Sequence, residues 1–65
     1  MQIILNGKPA AFNKINTVED LLNRLQIKGQ LAVEINHNII PRSKYNTQKV
    51  NPDDVIEIVH AVGGG

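Results

Sequence analysis

Only one stretch of this sequence carries a clear helical period, and it dictates what the rest must supply. Val18, Leu21, Leu22 and Leu25 fall at i, i+3, i+4 and i+7, which makes a single apolar stripe. Thr17 stands where its hydroxyl can cap the first turn, and Glu19 and Asp20 complement the positive end of the helix. Arg24 and Lys28 lie toward the other end, and Gly29 is placed for a left-handed cap, so the spacing predicts a helix over 18–28. A helix with one stripe covers one face of one sheet. The remaining residues must therefore build that sheet.

They read as strands. Residues 1–5 alternate, with Met1, Ile3 and Leu5 on one side, and Asn6-Gly7 is a strong signal for a two-residue reverse turn. Ala10 to Asn13 forms the return strand, with Pro9 at its edge, where a missing N–H is tolerated. Leu31 to Asn36 alternates again, so Leu31, Val33 and Ile35 face the core. His37-Asn38 reads as a turn, Ile39-Ile40 as a short extension ended by Pro41, and 42–50 as irregular with one helical turn. Asn51-Pro52-Asp53-Asp54 is a second turn, before a last strand over 55–62. The order predicts an α+β fold: a mixed sheet of about four strands with one main helix on one face, and the last strand beside the first. This is the β-grasp, or ubiquitin-like, arrangement. We expect one domain over 1–62, followed by a flexible glycine tail over 63–65.

Size and composition narrow the functions open to such a unit. A 65-residue chain without cysteine has no disulfide or thiolate metal site to staple it. Its 42% hydrophobic content must provide the core. Seven basic and six acidic residues give a net charge of +1 without runs of like charge, which excludes nucleic acid and anionic membrane as main partners. One Tyr, one Phe and no Trp offer no platform for stacking bases. The start, Met1 to Lys8, lacks the basic and long apolar regions of a signal peptide, which points to a reducing interior compartment.

Inside the body no constellation points to catalysis. His37 reads as a polar turn residue, and His60 shares parity with Ile56 and Ile58 at the frayed end of the core face. Asp53 and Asp54 serve the turn through side-chain bonds to the backbone. What remains is the closing Gly63-Gly64-Gly65. Three residues without side chains let a narrow slot close around the backbone, and extended they reach about 10 Å. The Gly65 carboxylate, ionised at neutral pH, is a suitable nucleophile for the α-phosphorus of ATP.

Several stretches together resemble the ThiS family of sulfur carriers in thiamine biosynthesis, over essentially the whole chain. They are Met1-Gln2-Ile3 to Asn6-Gly7, Thr17-Val18 with Leu21, Leu22 and Leu25, and Val33-Glu34-Ile35-Asn36. Ile40-Pro41-Arg42 with Tyr45 and Val50 follows, then Ile56-Glu57-Ile58 leading to Val62-Gly63-Gly64-Gly65. The resemblance implies a cytoplasmic carrier, or one of the plastid stroma if plastid-encoded, that is not itself an enzyme and is a monomer when free. A ThiF-like adenylating enzyme would activate the Gly65 carboxylate with ATP and Mg, and the carrier itself would bind no cofactor. Sulfur drawn from cysteine by a cysteine desulfurase would turn the carboxylate into a thiocarboxylate, and a ThiG-like thiazole synthase would accept it. Arg42 matches the family's arginine after proline, in contact with a partner or fixing its loop. Two departures stand out: Pro52-Asp53-Asp54 where the family usually has Gly-Asp, and Tyr45 where Trp is more usual.

Two other readings share the fold. The small subunit of molybdopterin synthase is also a β-grasp chain with a Gly-Gly end, but is usually longer between helix and last strands. A ubiquitin-like interaction module would bind partners without reacting. For docking, we expect the sheet face away from the helix to carry Ala32, Glu34, Glu57, Val59 and Ala61, with Ile4 beside them. Val59 and Ala61, with Val62, Gly63 and Gly64, would position Gly65 in the adenylating enzyme.

Overall fold

The computed structural model describes residues 1–60. The elements are β1 (Gln2–Leu5), β2 (Lys8–Ala11), α1 (Val18–Leu25), β3 (Leu31–Ile35), β4 (Asn38–Ile40), a 3-10 turn over Arg42–Lys44 and β5 (Val55–His60). The strands form one mixed sheet in the order β2-β1-β5-β3-β4. β5 runs parallel to β1 and antiparallel to β3, and both hairpins, β1–β2 and β3–β4, are antiparallel. No helix among the described residues is long and apolar enough to cross a membrane.

The α+β arrangement expected from the sequence is present, with five strands where about four were expected. The extra strand arises at Asn36 and His37, which take φ of 50° and 72°. Two consecutive residues in the left-handed region make a tight reverse turn, so Asn38–Ile40 folds back along β3. Asn6 and Gly7, at φ of 50° and 83°, do the same for the first hairpin. That turn sets Lys8 opposite Leu5, so β2 begins two residues earlier than predicted. Pro9 lies on this edge strand, where its missing donor costs nothing.

The helix starts as predicted and stops three residues early. Thr17 Oγ1 accepts from Asp20 N–H at 3.2 Å, while Asp20 Oδ2 accepts from the N–H groups of Thr17 and Asn16 at 3.0 and 2.8 Å. The N–H groups of Val18 and Glu19 donate to the carbonyls of Gln48 and Tyr45, so the first turn is fully satisfied. The left-handed cap is Gln26, at φ 58°, and not Gly29. The cause is Ile27. Continuing the helix would place it about half a turn from the Val18–Leu25 stripe, facing water. Breaking at Gln26 brings Ile27 back against the core.

The core is wholly apolar. Ile3, Val18, Leu21, Val33 and Ile56 are fully enclosed, joined by Ile15, Leu22, Ile35, Val50 and Ile58. Among the described residues the one buried polar side chain is Asp54, whose carboxylate accepts from Asn51 N–H at 2.8 Å and from the Asn36 amide at 3.0 Å. Asp53 holds φ 69° in this turn and its N–H donates to Gln2 O at 2.8 Å, which ties the turn to β1.

β5 is central, yet β1 is too short to pair along it: their register covers only Ile4 with Val55 and Leu5 with Ile56. Side chains complete the bonding. The Asn6 amide accepts from Ile58 N–H at 2.8 Å and donates to Ile58 O at 3.2 Å. On the other side Asn36 Oδ1 accepts from Val55 N–H at 2.9 Å, and Asn36 N–H donates to Val55 O at 2.7 Å. Both hairpin turns thus grip β5 through an asparagine.

Two outcomes follow. Asn6→Gly keeps the positive φ and removes the amide, leaving the N–H of buried Ile58 without a partner. It should cost about 1–3 kcal/mol in chemical denaturation and raise amide exchange at Ile58 above that of Ile56. The second concerns acid. Backbone bonds from Asn16 and Thr17 hold the Asp20 carboxyl below its ordinary value of 3.8. Its stabilising effect is then present above 3.8 and is lost as pH falls through the lowered value. The stability gap between wild type and Asp20→Asn should be constant near neutrality and close below pH 3.8; a gap independent of pH would overturn this.

Candidate functional site

β5 leads the chain toward its glycines, so the site begins where this strand ends. Val59 and His60 pair with Ala32 and Leu31 on β3. The start of β3 is itself fixed from the helix side of the molecule. Arg42 Nη2 donates to Gly29 O at 2.9 Å, and Tyr45 Oη donates to Leu31 O at 3.4 Å. Arg42 and Tyr45 line a shallow groove with Leu22, Ile27 and Leu31. The last described residue of β5 therefore lies opposite a residue whose carbonyl is bonded by Tyr45, just after the 3-10 turn.

The register fixes the other face of the sheet. Ala32 stands opposite Val59, Glu34 opposite Glu57, and Ile39 follows Glu34 across β4. Ile4 lies between Val55 and Pro9 on the same side. The two large apolar side chains most exposed among the described residues, Ile39 at 74% and Val59 at 56%, both belong to this face.

Of the residues singled out from the sequence, Val59 lies on this open face as expected, beside Ala32, Glu34 and Glu57. Arg42 does not join them. It belongs to the helix side and binds the backbone before β3. Ala61, Val62, Gly63, Gly64 and Gly65 lie outside the described residues, as does the expected division of the chain at residue 62. His37 is an exposed turn residue, and His60 is exposed opposite Leu31. No three potential metal ligands come together among the described residues. Sequence reasoning missed Ile39, because the hairpin that turns it onto this face is set by backbone conformation at Asn36 and His37. It also missed the amide grips: Asn6 was legible as a turn residue, but a bond to Ile58, 52 positions away, has no local signal.

The architecture recurs in known proteins. The crystal structure of the thiamine biosynthesis protein ThiS from Geobacter metallireducens superposes with a TM-score of 0.86 at 28% identity, covering all of both chains. The sulfur carrier protein ThiS of Bacillus subtilis is 43% identical over 63 residues, 94% of this chain and 96% of that protein. A thiazole synthase of Paramagnetospirillum magneticum is 41% identical over 66 residues, spanning all of this chain but only 20% of that protein. Residues 3–65 match the sequence profile of the ThiS family. With a fold, a profile and a near full-length relative in agreement, the chain belongs to the ThiS family, a group of small carriers rather than catalysts.

Proposed function

We propose that this chain is a sulfur carrier of thiamine biosynthesis whose reacting group is the Gly65 carboxylate, with Gly65 as the C-terminal residue. The observation that carries this reading is the near full-length match to the sulfur carrier of Bacillus subtilis, and the position of β5 supports it. A strand held on both sides is a rigid base from which a side-chain-free segment can be presented to an enzyme.

The steps follow from the chemistry of a carboxylate. In a ThiF-like adenylating enzyme, using its own Mg, a Gly65 oxygen attacks the α-phosphorus of ATP and pyrophosphate leaves. The acyl-adenylate carbonyl is then attacked by the outer sulfur of a persulfide charged by a cysteine desulfurase, and AMP leaves. A second thiol attacks the inner sulfur of that former persulfide in the acyl disulfide, forming a disulfide and releasing the thiocarboxylate. The resulting thiocarboxylate donates its sulfur to a thiazole synthase. The thiazole synthase relative, which contains a segment similar to this whole chain, supports that partner. Gly63 and Gly64 admit the backbone to a narrow slot, and Val59, Ala61 and Val62 seat it. Arg42 acts at one remove, through the backbone at Gly29. The absence of cysteine and the balanced charge suit a soluble interior compartment, the cytoplasm or a plastid stroma.

Intact-mass measurement after incubation with the adenylating enzyme, ATP and a sulfur source tests the reading. One oxygen should be replaced by sulfur, and deletion of Gly65 should abolish the change. An unchanged mass, where the Bacillus subtilis carrier reacts, would leave a non-reacting interaction module. Val59→Asp should lower kcat/KM for adenylation by at least about tenfold, since it replaces an apolar contact with a carboxylate that docking must strip of water, with the circular dichroism unchanged. Normal adenylation of Val59→Asp would remove this residue from the docking surface.

A further inference from the structure

The open sheet face carries an arrangement that works against the free protein. Glu34 and Glu57 are direct cross-strand partners, with Cβ atoms about 4.5–5.5 Å apart in such a pair, and like charges so placed are destabilising. The surroundings do not offset this. The adjoining pair on one side is Ala32 with Val59, the neighbour across β4 is Ile39, and beyond lie Asn36 and Val55. No Lys or Arg occupies a register position on this face. Two carboxylates therefore sit amid the most exposed apolar side chains of the described residues.

We propose that this face receives a cationic side chain, an arginine or lysine of the adenylating enzyme, seated between Glu34 and Glu57 with Val59, Ala32 and Ile39 as its apolar rim. The inference rests on the carrier reading above. A partner that covered the face with apolar groups alone would strip water from two unpaired carboxylates, at a cost no apolar contact offsets. A planar guanidinium can hold both carboxylates at once, and the attraction would guide encounter as well as register. A second copy of this chain does not fit, because stacking like faces would gather four carboxylates. Anionic lipid and nucleic acid are repelled for the same reason. Continuity favours the adenylating enzyme: Glu57 and Val59 stand only six to eight residues before Gly65 in the sequence, within the reach of an enzyme that acts on that residue.

The test compares the full-length wild type with E34Q/E57Q and the charge-keeping E34D/E57D, reading ATP–pyrophosphate exchange by the adenylating enzyme against carrier concentration at low and high salt. E34Q/E57Q should raise KM about tenfold at low salt with kcat unchanged, and its KM should lose most of the salt dependence. Its melting temperature should rise by about 2–4 °C as the repulsion is removed, whereas a structural role for the pair would lower it. E34D/E57D should stay within about twofold of wild type in KM, at the same charge. Exchange with wild type that E34Q/E57Q matches in KM and salt response overturns the inference alone. No exchange with wild type overturns the carrier reading, and this inference with it.

Discussion

Everything in this small protein depends on how β5 is held. It is the last strand of the described residues, it lies at the centre of the sheet, and two of the fully or nearly enclosed core side chains, Ile56 and Ile58, belong to it. A central strand needs partners for its backbone on both edges, since a buried unpaired N–H or C=O costs as much as a lost hydrogen bond. β1 supplies only two register pairs. The deficit on that edge is met by Asn6, and Asn36 extends the pairing on the β3 edge; both use the same φ of 50° to turn their hairpins and their side-chain amides to bond β5. Each asparagine thus couples a local decision, where the chain reverses, to a distant one, where the last strand docks. No buried side-chain nitrogen or oxygen among the described residues is left without a partner.

The helix is bound into the same scheme by its first turn. Val18 and Glu19 donate to Gln48 and Tyr45, and Val50 N–H donates to Asn16 O. The irregular segment over 42–50, which buries little of its own, is thereby the clasp that sets the helix over the sheet. Tyr45 works at both ends of the clasp, its carbonyl on the helix and its hydroxyl on the first residue of β3.

The elements legible in the sequence are those whose cause is local. The helix start at Thr17, the Asn6-Gly7 turn and the strand parities of Ile3, Val33, Ile56 and Ile58 all follow from residue type and period. The details that escaped have distant causes. The helix ends at Leu25 because Ile27 is wanted by the core, and β4 exists because Asn36 and His37 both turn left-handed while Asn36 also bonds to Val55 and Asp54. Of the site, parity placed Val59 correctly on the open face. Arg42, after Pro41, left a partner contact and a loop-fixing role both open, and only the fold shows its guanidinium on the Gly29 carbonyl.

Agreement between local preference and global fold is what lets a chain this short fold without disulfides, and places that break the agreement call for another cause. The helix side of the molecule obeys the rules: apolar residues inside, caps satisfied, the buried carboxylate of Asp54 bonded. The open face breaks two of them together. It leaves Val59 and Ile39 in water and sets Glu34 against Glu57. Replacing any of the four with a neutral polar residue would leave the core untouched, because all four side chains point away from it. Folding therefore does not account for them; the partner proposed above would cover the apolar pair, and with a cation of its own it would turn the repulsion into attachment. The departures stand on β5, the strand that precedes the glycines in the sequence, and on its neighbour β3, with Ile39 beside them on β4.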